Sequence, residues 1–136
     1  MTGQQSPEET ALRAAVENLY TTFARYPLPS QIDVSDSATV FDQERLRARP
    51  LRELRACDLE KYAFEALTSW GNELDFKHYL PRLLDLQAFD AAWFLEAEVL
   101  LAKLHHANWR KWPQAEQAAV EAYLTAWREY VLSIER

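Results

Sequence analysis

Residues 6–27 read SPEETALRAAVENLYTTFARYP, and the grammar is that of one amphipathic helix. Ser6 and Glu9 form a capping box, in which a serine hydroxyl satisfies a first-turn N–H. Pro7 stands at the first helical position, where its missing N–H would have had no helical partner. Leu12, Val16, Leu19 and Phe23 recur at helical spacing, and Ala15 and Tyr20 widen that stripe. Arg13, Glu17 and Thr21 take the opposite face. Pro27 disfavours helix at the residue before it, so the helix should end near Tyr26.

The same grammar recurs downstream. Residues 26–41 hold Pro27, Pro29, Ser30, Asp33, Ser35, Asp36 and Ser37, and read as a long loop. Asp42 can cap a short helix carrying Leu46, and a second short helix is expected from Pro50 to Ala56. Asp58 can cap a longer helix with Leu59, Tyr62, Ala63, Leu67 and Trp70 inward and Gly71 at its left-handed end. Asn72 can cap the next, which carries Leu74, Phe76, Leu80, Leu83 and Leu84, and Pro81 should kink or restart the helix. Residues 90–106 are apolar on nearly all sides, which predicts a central helix. The last helix starts at Trp112-Pro113 and turns Val120, Leu124, Trp127, Val131 and Ile134 inward. The expectation is all-α: a single-domain irregular (orthogonal) helical bundle of about five main helices over residues 1–136, with residues 1–5 frayed. HEAT-like αα-hairpin stacking is the alternative, because two successive helix pairs suggest a period of about 40 residues. Overlaying Trp70-Gly71 on Trp109-Arg110 puts Leu67 on His106 and Phe64 on Lys103, so the repeat is poor.

Composition excludes several functions. The 136 residues include only two glycines, Gly3 and Gly71, so no phosphate-cradling glycine loop or nucleophile elbow can be built. A net charge of −6 disfavours a nucleic-acid partner. The one cysteine, Cys57, rules out an intramolecular disulfide and reads as a small buried hydrophobe. No signal peptide and no membrane-length apolar run is present, so a cytoplasmic protein is expected.

Thr68-Ser69-Trp70-Gly71 and Asp75-Phe76-Lys77-His78-Tyr79-Leu80-Pro81-Arg82 resemble a segment of small uncharacterised bacterial helical proteins. Ala107-Asn108-Trp109-Arg110-Lys111-Trp112-Pro113 and the helix after it are similar too. The resemblance covers roughly the C-terminal half. It implies a bacterial source and a helical fold, and no activity.

Three constellations could carry function. Asp75, His78 and Tyr79 share one helix face, and a carboxylate beside an imidazole could orient a general base. The bland alternative is a surface pair or a histidine bound to a backbone carbonyl near Pro81. Trp109, Arg110, Lys111 and Trp112 have the composition of an interface hot spot if exposed. If buried, the indoles staple two helices together while the cations reach solvent. Arg45, Arg49 and Arg52 could hold an anion, or simply neutralise the domain's own carboxylates. His105 and His106 are adjacent and point about 100° apart on a helix, so no metal site is expected, nor any cofactor. The leading expectation is a non-enzymatic interaction module binding another protein or a second copy of itself. The alternative is a small enzyme or ligand-binding bundle with Asp75 and His78 in a cleft and the 26–41 loop as a lid.

Overall fold

A computed structural model describes residues 6–28, 44, 46–65, 73–90 and 97–135. Most of the 26–41 loop, Asp42, Arg45, Leu67, Trp70, Gly71, Asn72 and the first turns of the helix expected over 90–106 lie outside the described residues. Among the described residues the fold is all-α, with five α-helices and no strand. They are α1 (Pro7–Phe23), α2 (Ala56–Glu65), α3 (Glu73–Phe89), α4 (Ala97–His106) and α5 (Gln114–Glu135). Short 3-10 turns stand at Leu51–Glu53 and Trp109–Lys111.

α1 forms for the reasons its sequence states. The Ser6 hydroxyl accepts the Glu9 N–H at 3.1 Å, and Pro7 opens the helix. Leu12, Val16, Leu19 and Phe23 are all buried, with Ala15 and Tyr20 beside them. Helical bonding stops at Phe23, three residues before the expected end, and a turn carries the chain through Tyr26.

Two helices pack chiefly on α1, and the first helix packs most closely on the last. A stack of nearest-neighbour repeats would not bring those two together, so HEAT-like stacking is not the architecture. Directions follow from named contacts. Tyr26, just past α1, meets Glu116 in the first turn of α5 and Lys77 in the first turns of α3. At the other end, Arg13 of α1 lies over the Phe89 ring of α3, and that ring meets Tyr130 of α5 at 6.2 Å. α3 and α5 therefore run side by side in one direction, with α1 antiparallel to both.

The core lies between these three helices. Leu12, Leu19, Phe76, Leu80, Leu83, Val120 and Tyr123 are each at most 1% exposed. Each large apolar side chain buried this way contributes about 1.5–3 kcal/mol. The Tyr123 hydroxyl is satisfied by the Leu84 carbonyl at 2.9 Å.

Five local expectations need correction. Asp58 is the third residue of α2, not its cap; its carboxylate reaches back to the Arg55 N–H at 2.9 Å. The helix expected over Pro50–Ala56 is only the 3-10 turn Leu51–Glu53, because Leu54 is extended. α3 continues through Pro81 without restarting, although Pro81 cannot donate to the Lys77 carbonyl. The described part of α4 is two-sided rather than central: Leu100 and Leu104 are buried, while Glu98, Ala102, His105 and His106 are exposed. Cys57 is exposed as well. No described helix is long and apolar enough to cross a membrane.

Candidate functional site

Tyr26 is held at both ends by consecutive residues of α3. Its hydroxyl accepts from the Lys77 ammonium at 3.1 Å, and its backbone carbonyl takes a 2.9 Å bond from His78 Nδ1. The same hydroxyl donates to Glu116 Oε2. Lys77 Nζ lies 2.8 Å from Glu116 Oε1, and the two side chains are only 6% and 1% exposed. Two charges taken out of water are stable only when paired and hydrogen-bonded. The Tyr26 hydroxyl, the Glu73 carboxylate at 3.5 Å and the Trp112 ring at 4.6 Å complete the surroundings of the ammonium. Burial alone would lower the Lys77 pKa; the Glu116 carboxylate and the Tyr26 oxygen outweigh it, and the net shift is upward.

The His78 bond fixes a tautomer. A carbonyl only accepts, so Nδ1 must carry the proton, and the other ring nitrogen, Nε2, is an acceptor in the neutral ring. His78 is half-buried and lines a cleft of ≈ 490 Å³. Tyr20, Phe23 and Tyr26 form one wall, Leu51, Arg52 and Glu53 of the 3-10 turn another, and Pro81 packs below His78 on α3. This is ordinary size for a small-ligand site.

Beside the cleft runs a second polar chain. Arg82 donates to the Leu54 carbonyl at 2.8 Å and to Asp85 at 2.9 Å, and Asp85 accepts the Tyr20 hydroxyl at 2.8 Å. Burial, then the Asp85 charge, raises the Tyr20 pKa. Arg52 stacks over the Tyr20 ring at 3.9 Å and grips Glu17 with two bonds of 2.7 and 2.9 Å.

The residues singled out from sequence fare differently. His78 is in the cleft, but Asp75 is not among its lining residues. The ring of Tyr79 stands edge-on to His78 at 4.7 Å and is wholly buried, with its hydroxyl away from hydrogen-bond partners among the described residues. The imidazole is oriented by the Tyr26 backbone carbonyl. Trp109 and Trp112 are 2% and 4% exposed, so they present no indole surface to a partner. Trp112 Nε1 donates to the Ala107 carbonyl at 3.0 Å and the ring meets Phe23 edge-on at 5.8 Å. Arg110 and Lys111 remain exposed, Arg110 stacking on Trp109 at 4.1 Å and pairing with Glu121 at 2.9 Å. Arg49 and Arg52 do not converge: Arg49 faces Asp58 at 3.7 Å, whereas Arg52 holds Glu17. Arg45 lies outside the described residues. No cluster of three metal-ligating side chains occurs among the described residues.

Sequence reasoning missed the Lys77–Glu116 pair and the clasp on Tyr26. Only one local signal existed, a lysine at an inward-facing position of an apolar stripe, one residue after Phe76.

On the other side of α1, a shallow groove of ≈ 860 Å³ runs between α1 and α5. Its floor is alanine, including Ala11, Ala14, Ala118 and Ala122, and its charged lining is Glu8, Glu121 and Glu129.

Comparison of the chain with protein-family models, with curated proteins and with solved structures returned no match.

Proposed function

We propose that the protein is a helical bundle that binds a small ligand in the cleft formed by the end of α1, the Leu51–Glu53 turn and α3. One observation carries the reading: an imidazole of fixed tautomer, held by the Tyr26 carbonyl, lines a ≈ 490 Å³ cleft with one aromatic wall of Tyr20, Phe23 and Tyr26. Apolar walls with a few placed polar groups are how small-molecule sites are made. The interaction reading loses the surface it was built on, because both indoles of the Trp109–Trp112 turn are buried. The chain's three histidines make the test simple, since His105 and His106 are exposed at the end of α4. A fragment library titrated against the protein should move the His78 imidazole resonances and leave the other two in place. If no fragment moves His78, the cleft is not a binding site.

A second reading keeps the interaction module and moves its surface to the α1/α5 groove. Small side chains let a third helix approach closely, and the Glu8 and Glu129 carboxylates, with Glu121 paired to Arg110, favour a basic one. A second copy of this chain would bring like charges together, so the occupant is an amphipathic helix of another protein. A lysine-flanked alanine–leucine peptide should bind and a glutamate-flanked one should not; equal binding of the two overturns the reading.

A further inference from the structure

The chemistry of the cleft ligand can be narrowed by subtracting the polar side-chain groups already spent; this step rests on the cleft reading above. The Tyr20 hydroxyl is used by Asp85, the Tyr26 hydroxyl by Lys77 and Glu116, and the Thr21 hydroxyl by the Glu17 carbonyl. Arg52 gives Glu17 one N–H from each terminal nitrogen, which leaves three of the five guanidinium donors. That ion pair is half-exposed on both sides and does little to hold the guanidinium from a ligand. Glu53 is exposed and makes no ion pair among the described residues. His78 Nε2 also has no partner among them.

Among the described lining residues what remains is the unused donors of Arg52, the Glu53 carboxylate and the His78 Nε2 acceptor, against an aromatic and aliphatic wall. The two signs are carried by separate side chains, and Glu17 offsets part of the Arg52 charge. A lone anion would meet Glu53, and a lone cation would meet Arg52. From this we infer that the cleft takes a small zwitterion with an apolar body, an α-amino acid with an aromatic or branched aliphatic side chain. Its carboxylate goes to the planar fork of Arg52, which suits bidentate pairing. Its ammonium donates to Glu53 and to His78 Nε2. Its side chain lies against Phe23, Tyr26 and Leu51.

L-Phenylalanine is the probe, with N-acetyl-phenylalanine, phenylalanine amide and benzyl alcohol as controls. Calorimetry gives affinities, and the His78 imidazole resonances report the location. L-Phenylalanine should bind and shift His78, and removing the charge at either end should weaken binding about tenfold or more, the scale of a lost charge-assisted bond. Arg52→Gln and Glu53→Gln should each cost a similar factor. Both side chains are exposed, so Glu53→Gln should leave thermal unfolding unchanged and Arg52→Gln, which loses the Glu17 pair and the Tyr20 stack, should shift it only slightly. If the controls bind as well as L-phenylalanine and shift His78 equally, the zwitterion inference is overturned while the ligand cleft stands. If L-phenylalanine fails where other fragments shift His78, the inference again falls alone. If nothing shifts His78, both fall.

Discussion

Lys77 and Glu116 are 39 residues apart in sequence, and each is harmless only because of the other. The ammonium lies among Glu116, Tyr26, Glu73 and the Trp112 ring. Cutting either side chain leaves a buried charge alone. Lys77→Met is expected to cost about 3–5 kcal/mol in denaturant unfolding. The double variant Lys77→Met with Glu116→Leu should recover most of that loss, since apolar replacements of both partners remove the desolvation cost as well. A double variant as unstable as the single one would mean that the pair does more than neutralise itself. The pair also marks where sequence reading stops. A lysine next to Phe76 can be seen to point inward, but nothing local names a partner on another helix. His78 is a similar case. Its neighbours Asp75 and Tyr79 were visible at helical spacing, while its true partner is a carbonyl 52 residues upstream.

Elements were more legible than pairs, because caps and stripes are local physics. The Ser6 half of the capping box is present, with the Glu9 carboxylate turned to Arg13, and the α1 stripe is buried as spaced. Ser6→Ala should therefore lower stability by about 1 kcal/mol, read as a shift in the unfolding midpoint. Glu9→Gln should change it less, because the backbone N–H and not the side chain meets Ser6. Boundaries were harder. Asp58 was placed at the cap when it sits two residues inside, since an acidic side chain can serve the first turn from either position. The apolar count of residues 90–106 predicts a central helix but says nothing about which sides are covered. Ala102 is exposed there while Lys103 is buried. The Trp109–Trp112 turn could be read two ways, and burial decides it. Asn108, in the left-handed region at φ 57°, starts the turn that points both indoles inward. Asparagine is among the few residues that tolerate that geometry.

For the whole molecule, the pH response is set by what is buried. Burial is the main cause that raises the pKa of Tyr20, Tyr79 and Tyr123 above the ordinary 10.0. Lys77 also lies above its ordinary 10.5 in the folded state. A raised folded pKa gives stability that is complete below the unfolded value and is lost as pH rises through the folded one. All four groups act in the same direction, so stability should be level toward neutral pH and fall steeply above about pH 10. Circular dichroism across an alkaline titration checks this. Unfolding that begins only well above that range would mean the tyrosines ionise without opening the core. The architecture itself followed from the sequence as a class, all-α with about five main helices, since periodicity and the shortage of glycine both point there. Which helices would touch did not follow, because pairing is settled by faces that only meet once the chain has folded.

The pairing of α1 with α5 has a consequence in time. During synthesis α1 leaves the ribosome about a hundred residues before its largest partner. Until then Leu12, Val16, Leu19 and Phe23 have only part of their cover, and chaperones have that long to find them. Closing so wide a loop costs entropy before the contact repays it, so the α1–α5 seam should form after the barrier to folding has been crossed. Val120→Ala, at the seam, should then speed unfolding and leave the refolding rate nearly unchanged, a φ-value close to zero. A slowed refolding rate would instead place the two ends of the chain together at the start of folding.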